Sequence, residues 1–180
     1  MSGPRTIEEA LASLKGISVD EYRREKEFKN EIRTRGESFR NKPPSEWPKL
    51  TFNWDYTKAA QCHVYDGMSI DKFDQYYPEG LMAGTVNLTE FDIRLTRFNR
   101  RDDINDLWKL GNPSKLCYVL AYLEKGLPIT PPLVSVANEE LCLSGGNHRY
   151  AAAKFSGQMQ LPIYVVHADL KLVETLVQVT

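Results

Sequence analysis

The stretch Leu143-Ser144-Gly145-Gly146-Asn147-His148-Arg149-Tyr150-Ala151-Ala152-Ala153-Lys154 combines residue types that hold an anion. An apolar run leads into two glycines and then into a helix-forming segment. Glycines let a ligand approach the backbone with no Cβ in the way. A helix N-terminus presents N–H groups without intrahelical acceptors, at the positive end of the helix dipole. His148 and Arg149 add donors in the first turn, where a cation is unfavourable unless an anion is bound. A plain strand-to-helix turn capped by Asn147 explains the glycines and the amide. It does not explain the His-Arg pair. The spacing points to a phosphate site at Gly145, Gly146, Asn147, His148 and Arg149.

Two further groups carry charge or donors. Lys115 opens a helical segment and shares a face with Tyr118 and Tyr122, so it can contact phosphate and hydroxyl groups; a solvated lysine beside half-buried tyrosines is the plainer reading. Arg94, Arg97, Arg100 and Arg101 crowd one short stretch. Alternation along a strand would put Arg94 and Thr96 on one face and Arg97 on the other. Asp102, Asp103 and Asp106 partly neutralise that patch. The adjacent Cys62-His63 pair is read as structural, since a lone pair of such residues rarely holds a metal.

These residues need elements to position them. Thr6-x-x-Glu9 is a capping box for a helix with Ile7, Ala10, Leu11 and Leu14 on its spacing, ended by Gly16. Ser18-x-x-Glu21 starts a longer, mostly charged helix to about Arg35, expected to be solvated. Pro43, Pro44 and Pro48 interrupt helix formation. The aromatic-rich segment from Trp47 to Tyr77 is too apolar for a linker and is expected to pack on the main domain. Val86–Leu88 and Phe91–Leu95 read as extended, and Asp102–Leu110 as a short helix. Pro113 begins a helix whose buried stripe is Leu116, Val119, Leu120 and Leu123. Pro131–Val136 and Leu141–Leu143 read as strands around an Asn138-Glu139 turn. Asn147–Phe155 is a helix stopped by Gly157, Leu161–Val166 a strand and Asp169–Val177 a terminal helix. The order β-α-α-β-β-α-β-α predicts an α/β or α+β domain over residues 84–180, with a helical and aromatic accessory region over residues 1–83.

Composition narrows the function. Among 180 residues, 23 Lys and Arg face 24 Asp and Glu, a formal net charge of -1. That balance excludes a protein gripping nucleic acid by bulk charge. Three cysteines, an odd count without a CxxC pair, argue against a disulfide framework or zinc site. The N-terminus lacks the apolar core of a signal peptide and no run reaches membrane-spanning length. The expected setting is reducing and cytoplasmic, away from membranes.

Gly145-Gly-Asn-His-Arg-Tyr-Ala-Ala resembles the signature of the ParB/sulfiredoxin-like fold, where sulfiredoxins carry Gly-Gly-Cys-His-Arg-Tyr-Ala. Supporting stretches resemble the same family: Gly126-Leu-Pro-Ile-Thr-Pro-Pro-Leu-Val-Ser-Val before the signature and Leu161-Pro-Ile-Tyr-Val-Val after it. Asn112-Pro113-Ser-Lys115 resembles the segment whose lysine contacts ATP, and Ile93-Arg94 one that adds a phosphate contact. The resemblance covers residues 84–180. It implies a small mixed-sheet α+β domain packed with helices. It also implies that Gly145, Gly146, His148 and Arg149 bind nucleotide phosphates, joined by Lys115 and Arg94. Where sulfiredoxins have their thiolate this chain has Asn147, and an amide cannot attack an activated sulfinate. Cys142, five residues earlier, reads as a small buried apolar side chain. Sulfinic acid reduction is excluded on that ground.

The resemblance then implies ATP or CTP binding, usually with Mg²⁺, and hydrolysis or phosphoryl transfer, including nuclease-like action on DNA. Catalysis would be electrostatic. Hydrolysis also needs a carboxylate to position water or metal. Glu90, Asp92, Asp102, Asp103 and Asp106 are the candidates, with Asp102 grouped with His148 and Arg149 as the catalytic set; surface charge is the plainer role for most of the five. Two alternatives stand beside this reading. One is a DNA-binding plasmid- or phage-type adaptor with nucleotide as a switch, which lacks a visible helix-turn-helix after the signature. The other is a catalytically silent module that binds a protein partner through the N-terminal region.

Overall fold

The computed structural model describes residues 6–109 and 111–180. The start of the chain before Thr6, and Leu110 at the end of one expected helix, lie outside the described residues.

Helix α1 (Ile7–Lys15) carries the expected capping box. Thr6 Oγ1 accepts from the Glu9 N–H at 3.2 Å, and Glu9 Oε2 accepts from the Thr6 N–H at 2.6 Å. Gly16 ends it in the left-handed region. Helix α2 (Val19–Glu37), capped by Ser18, is mostly charged and exposed, yet it buries Ile32 and Gly36. A Cβ on Gly36 would stand 2.6 Å from the Cys117 carbonyl oxygen, so the missing side chain is what lets two helices cross closely.

A 3₁₀ turn at Pro44–Glu46 follows, then the short strand β1 (Asn53–Trp54) and helices α3 (Lys58–Gln61) and α4 (Ile70–Tyr76), with a second 3₁₀ turn at Cys62–Val64 between them. Trp47, Leu50, Phe52 and Trp54 pack against the main core. Phe73, Tyr65 and Tyr77 build a second cluster with Leu133 and Tyr164. The aromatic segment is therefore part of the packed body.

Strand β2 (Met82–Asn87) runs into helix α5 (Leu88–Arg94). The extended conformation expected for Phe91–Leu95 is not found. Asn87 Oδ1 accepts from the N–H groups of Thr89 and Glu90 at 3.0 and 3.1 Å, a side-chain cap; Leu88 and Phe91 are buried on the helix, and buried Leu95 follows it in extended backbone. Helix α6 (Ile104–Lys109) and helix α7 (Pro113–Glu124) come next, α7 with Asn112 as cap and Pro113 in its first turn. Leu116, Leu120 and Leu123 of the expected stripe are buried; Val119 is half-buried.

Strand β3 (Pro128–Ile129) pairs in parallel with β1. Strands β4 (Leu133–Ala137) and β5 (Glu140–Gly145) form a hairpin closed by Asn138 and Glu139, both at positive φ, as a mirror-image two-residue turn requires. Helix α8 (Asn147–Phe155), strand β6 (Gln160–Val165), a 3₁₀ turn at His167–Asp169 and helix α9 (Leu170–Leu176) complete the chain. The main sheet has the order β2-β6-β4-β5, with β6 and β4 parallel and the outer pairs antiparallel. The class is α+β.

One core runs through both parts of the chain. Ile32 and Phe39 belong to the same buried cluster as Leu116, Leu120, Val134, Ala152 and Ile163. Between α2 and α7, Arg35 grips Glu124 in a bidentate pair at 2.7 and 2.5 Å. Among the described residues, no helix is long and apolar enough to cross a membrane.

Candidate functional site

The turn from β5 into α8 is set by glycines. Gly146 has φ 84°, a left-handed conformation that favours glycine, and caps α8 without a side-chain hydrogen bond. Asn147 is thus the first helical residue, not the cap. At Gly145 a Cβ would lie 2.2 Å from the Val64 carbonyl oxygen. The space that sequence reasoning assigned to a ligand is filled there by the backbone of residues 62–66.

The first-turn donors divide between scaffold and cavity. The N–H groups of Arg149 and Tyr150 both point to the Gly146 carbonyl at 3.0 Å. Among the described residues, no protein acceptor is found for those of Asn147 and His148. The Asn147 side chain is held inward: its Oδ1 accepts from Asn99 Nδ2 at 2.9 Å, while Asn99 Oδ1 accepts from the Leu143 N–H at 3.0 Å. Buried Asn99 thereby ties the α8 start to β5.

His148 is not a cation at neutral pH. Burial first, then the charges of Lys115 and Arg101, push its pKa down to about 4. Its Nε2 accepts from the Asn112 N–H at 3.3 Å, which leaves the proton on Nδ1. Gly111, at φ 81°, makes room for this contact; a Cβ there would stand 3.2 Å from Nε2. The start of α7 is therefore docked on the imidazole.

Arg149 is committed to the scaffold. Its Nη1 donates to the Thr130 carbonyl, and its Nη2 to the carbonyls of His63 and Val64 at 3.4 and 3.5 Å. Burial lowers its pKa to about 10, so it keeps its charge. Lys115, half exposed on α7, pairs with Asp66. Hydrogen bonding to Lys115, followed by the charges of Lys115 and Arg149, holds the Asp66 carboxyl below its ordinary range.

These groups line one cavity of about 450 Å³. Gly145–Arg149 form its floor, Lys115, Tyr118 and Val119 one wall, and Val64, Tyr65 and Asp66 the other. Tyr118 and Tyr122 stack at 5.7 Å, and Tyr65 stacks on Tyr77 with their hydroxyls 3.0 Å apart. Among the described residues, the cavity lining brings together the Asn147 and His148 N–H groups, the paired Lys115 ammonium and Asp66 carboxylate, and the rings of Tyr65 and Tyr118.

Several expected site residues lie elsewhere. Arg94 ends α5, exposed and outside the cavity, because the segment is helical rather than extended. Asp102 stands in a surface pair with Arg97 at 2.5 Å and Arg100 at 2.6 Å. Two neighbouring guanidinium groups satisfy it away from the cavity. Asp92 accepts from Tyr150 and from Lys154, the latter at 2.7 Å. Asp103 accepts from the N–H groups of Asn105 and Asp106, and Asp106 from that of Asp102. Glu90 is exposed and also lies outside the cavity. Arg101 is buried, donating to the Asn99 carbonyl at 2.8 Å. The arginine stretch thus presents no concentrated basic face.

Asp66 is the carboxylate that sequence reasoning missed. Nothing in the local sequence marks it; only the docking of residues 62–66 against Gly145 brings it to Lys115. Cys142 is half-buried, and Cys62 and Cys117 are buried; all three are free thiols. Cys62 Sγ lies 3.8 Å from His63 Nδ1, and burial pushes the thiol pKa up, which favours the neutral thiol over the thiolate.

Among the described residues, no three His, Cys, Asp or Glu side chains gather as a metal centre. Magnesium needs less, since it keeps several waters and is commonly held by one or two carboxylates together with substrate phosphates. Asp66, a hard oxygen donor at the cavity wall, fits that role. Comparison with protein-family models, with curated proteins and with solved structures found no match to this chain.

Proposed function

We propose that the cavity above Gly145–Arg149 binds the phosphates of a nucleotide, ATP or CTP, within a ParB/sulfiredoxin-like domain. The observation that carries this reading is the pair of N–H groups on Asn147 and His148, for which no acceptor is found among the described residues, on residues that line the same cavity as Lys115. Phosphate oxygens accept from both N–H groups at the positive end of α8. Lys115 adds a mobile charge, and the neutral His148 donates through Nδ1–H rather than as a cation. Arg149 supplies fixed positive charge beneath the floor while its donors hold the backbone in place. Tyr118 and Tyr65 offer apolar faces for the base.

Asp66 would hold a magnesium ion brought by the nucleotide, and that ion would neutralise phosphate charge. Hydrolysis or phosphoryl transfer at such a site is a matter of positioning and electrostatics. Asp66 is also the group able to orient a water molecule.

Calorimetric titration with ATP and with CTP, in the presence of Mg²⁺, tests the reading on the wild type and Lys115→Ala. Losing one charge-assisted contact weakens binding about tenfold. Equal affinity in the two proteins contradicts it.

A further inference from the structure

Lys115 and Asp66 face each other across the cavity from separate parts of the chain, Lys115 on α7 and Asp66 just beyond the Cys62–Val64 turn. The carboxylate is held near its place, because two neighbouring carbonyls, those of His63 and Val64, accept from Arg149 and the Val64 carbonyl also fills the space at Gly145. The pair is nonetheless exchangeable, with side-chain exposures of 50% for Lys115 and 83% for Asp66. The charged groups facing the cavity are Lys115, Arg149 and Asp66. His148 is neutral. A phosphate that takes the Lys115 ammonium competes with Asp66 for it, and two anions then stand side by side at one cation.

We infer that Asp66 acts as a charge filter: it holds Lys115 until a ligand supplies a replacement cation, so the site selects metal-complexed nucleotides over metal-free ones. The inference rests on the nucleotide reading above. Asp66 would find its counter-cation in a divalent ion carried by the phosphates, leaving Lys115 free for a phosphate oxygen. A bare polyphosphate brings repulsion instead, which at short range is strong enough to change binding about tenfold or more.

Equilibrium binding of ATP with Mg²⁺ and with EDTA, measured on the wild type, Asp66→Asn and Asp66→Ser, tests this, with thermal melting to establish that each variant folds. The wild type is expected to bind the magnesium complex about tenfold tighter than metal-free ATP. Either variant is expected to bind metal-free ATP several-fold tighter than the wild type does, so that the ratio approaches one. A wild type indifferent to Mg²⁺, or variants that keep the wild-type ratio, overturns the filter and leaves nucleotide binding intact. No binding by any of the three proteins under either condition overturns the nucleotide reading, and the filter with it.

Discussion

His148 illustrates how packing alters the chemistry of a single side chain. With Nε2 held by the Asn112 N–H and Lys115 and Arg101 nearby, protonation is opposed in the folded state. Its pKa falls from 6.5 to about 4. Between those values the unfolded chain binds more protons, so stability rises with pH across the window and is lost as pH falls through it. The penalty on full protonation is roughly 3 kcal/mol. Urea denaturation of wild type and His148→Gln at about pH 7 and about pH 4.5 checks this: the wild type should lose much more stability on acidification than the variant. The motif around His148 was legible because glycines, an amide and two basic side chains follow one another directly. Its charge state was not, because that depends on Asn112 and Arg101, which reach the ring through tertiary packing. Asp66 escaped for the same reason. Asp102, one of five carboxylates that the sequence does not separate, is occupied by Arg97 and Arg100.

The turn between β5 and α8 is held from outside the motif. Arg149 ties the Thr130 carbonyl to those of His63 and Val64, joining the approach to β4 with the segment that carries Asp66. Arg149→Ala leaves those carbonyls without their donor, and buried Thr130 has no ready access to water. The expected loss is about 2–4 kcal/mol, with faster amide exchange across residues 62–66. Unchanged melting and unchanged exchange would place Arg149 outside the scaffold. Lysine is not expected to rescue the variant, because one ammonium cannot serve the divided carbonyls of a planar fork. Most elements were legible from caps and periodicity: the box at Thr6, Pro113 at a helix start, and the turn at Asn138-Glu139. Helix α5 was not, because its β-branched and aromatic residues suggested a strand. Asn87, a capping residue ahead of helically spaced Leu88, Phe91 and Leu95, was the signal passed over.

Across the whole molecule, the accessory region and the signature region share both a core and a cavity. Ile32 and Phe39 lie in the main cluster, and Val64, Tyr65 and Asp66 form a cavity wall. A chain of residues 84–180 alone exposes the α7 surface that α2 covers and opens the second aromatic cluster. It should lose cooperative thermal unfolding, which calorimetry would register as a broad or absent transition. A sharp transition in that fragment would show that the first 83 residues are dispensable for folding. Such sharing is hard to read from sequence, since α2 is charged along most of its length and its contact rests on Ile32 and Gly36. The central claim is that phosphate sits at the start of α8. Amide-resolved NMR during titration with ATP and Mg²⁺ tests it most directly. The largest shifts are expected at the N–H groups of Asn147 and His148, with smaller ones at Lys115 and Asp66. Saturable shifts confined to another surface, or none at those two amides, would contradict it.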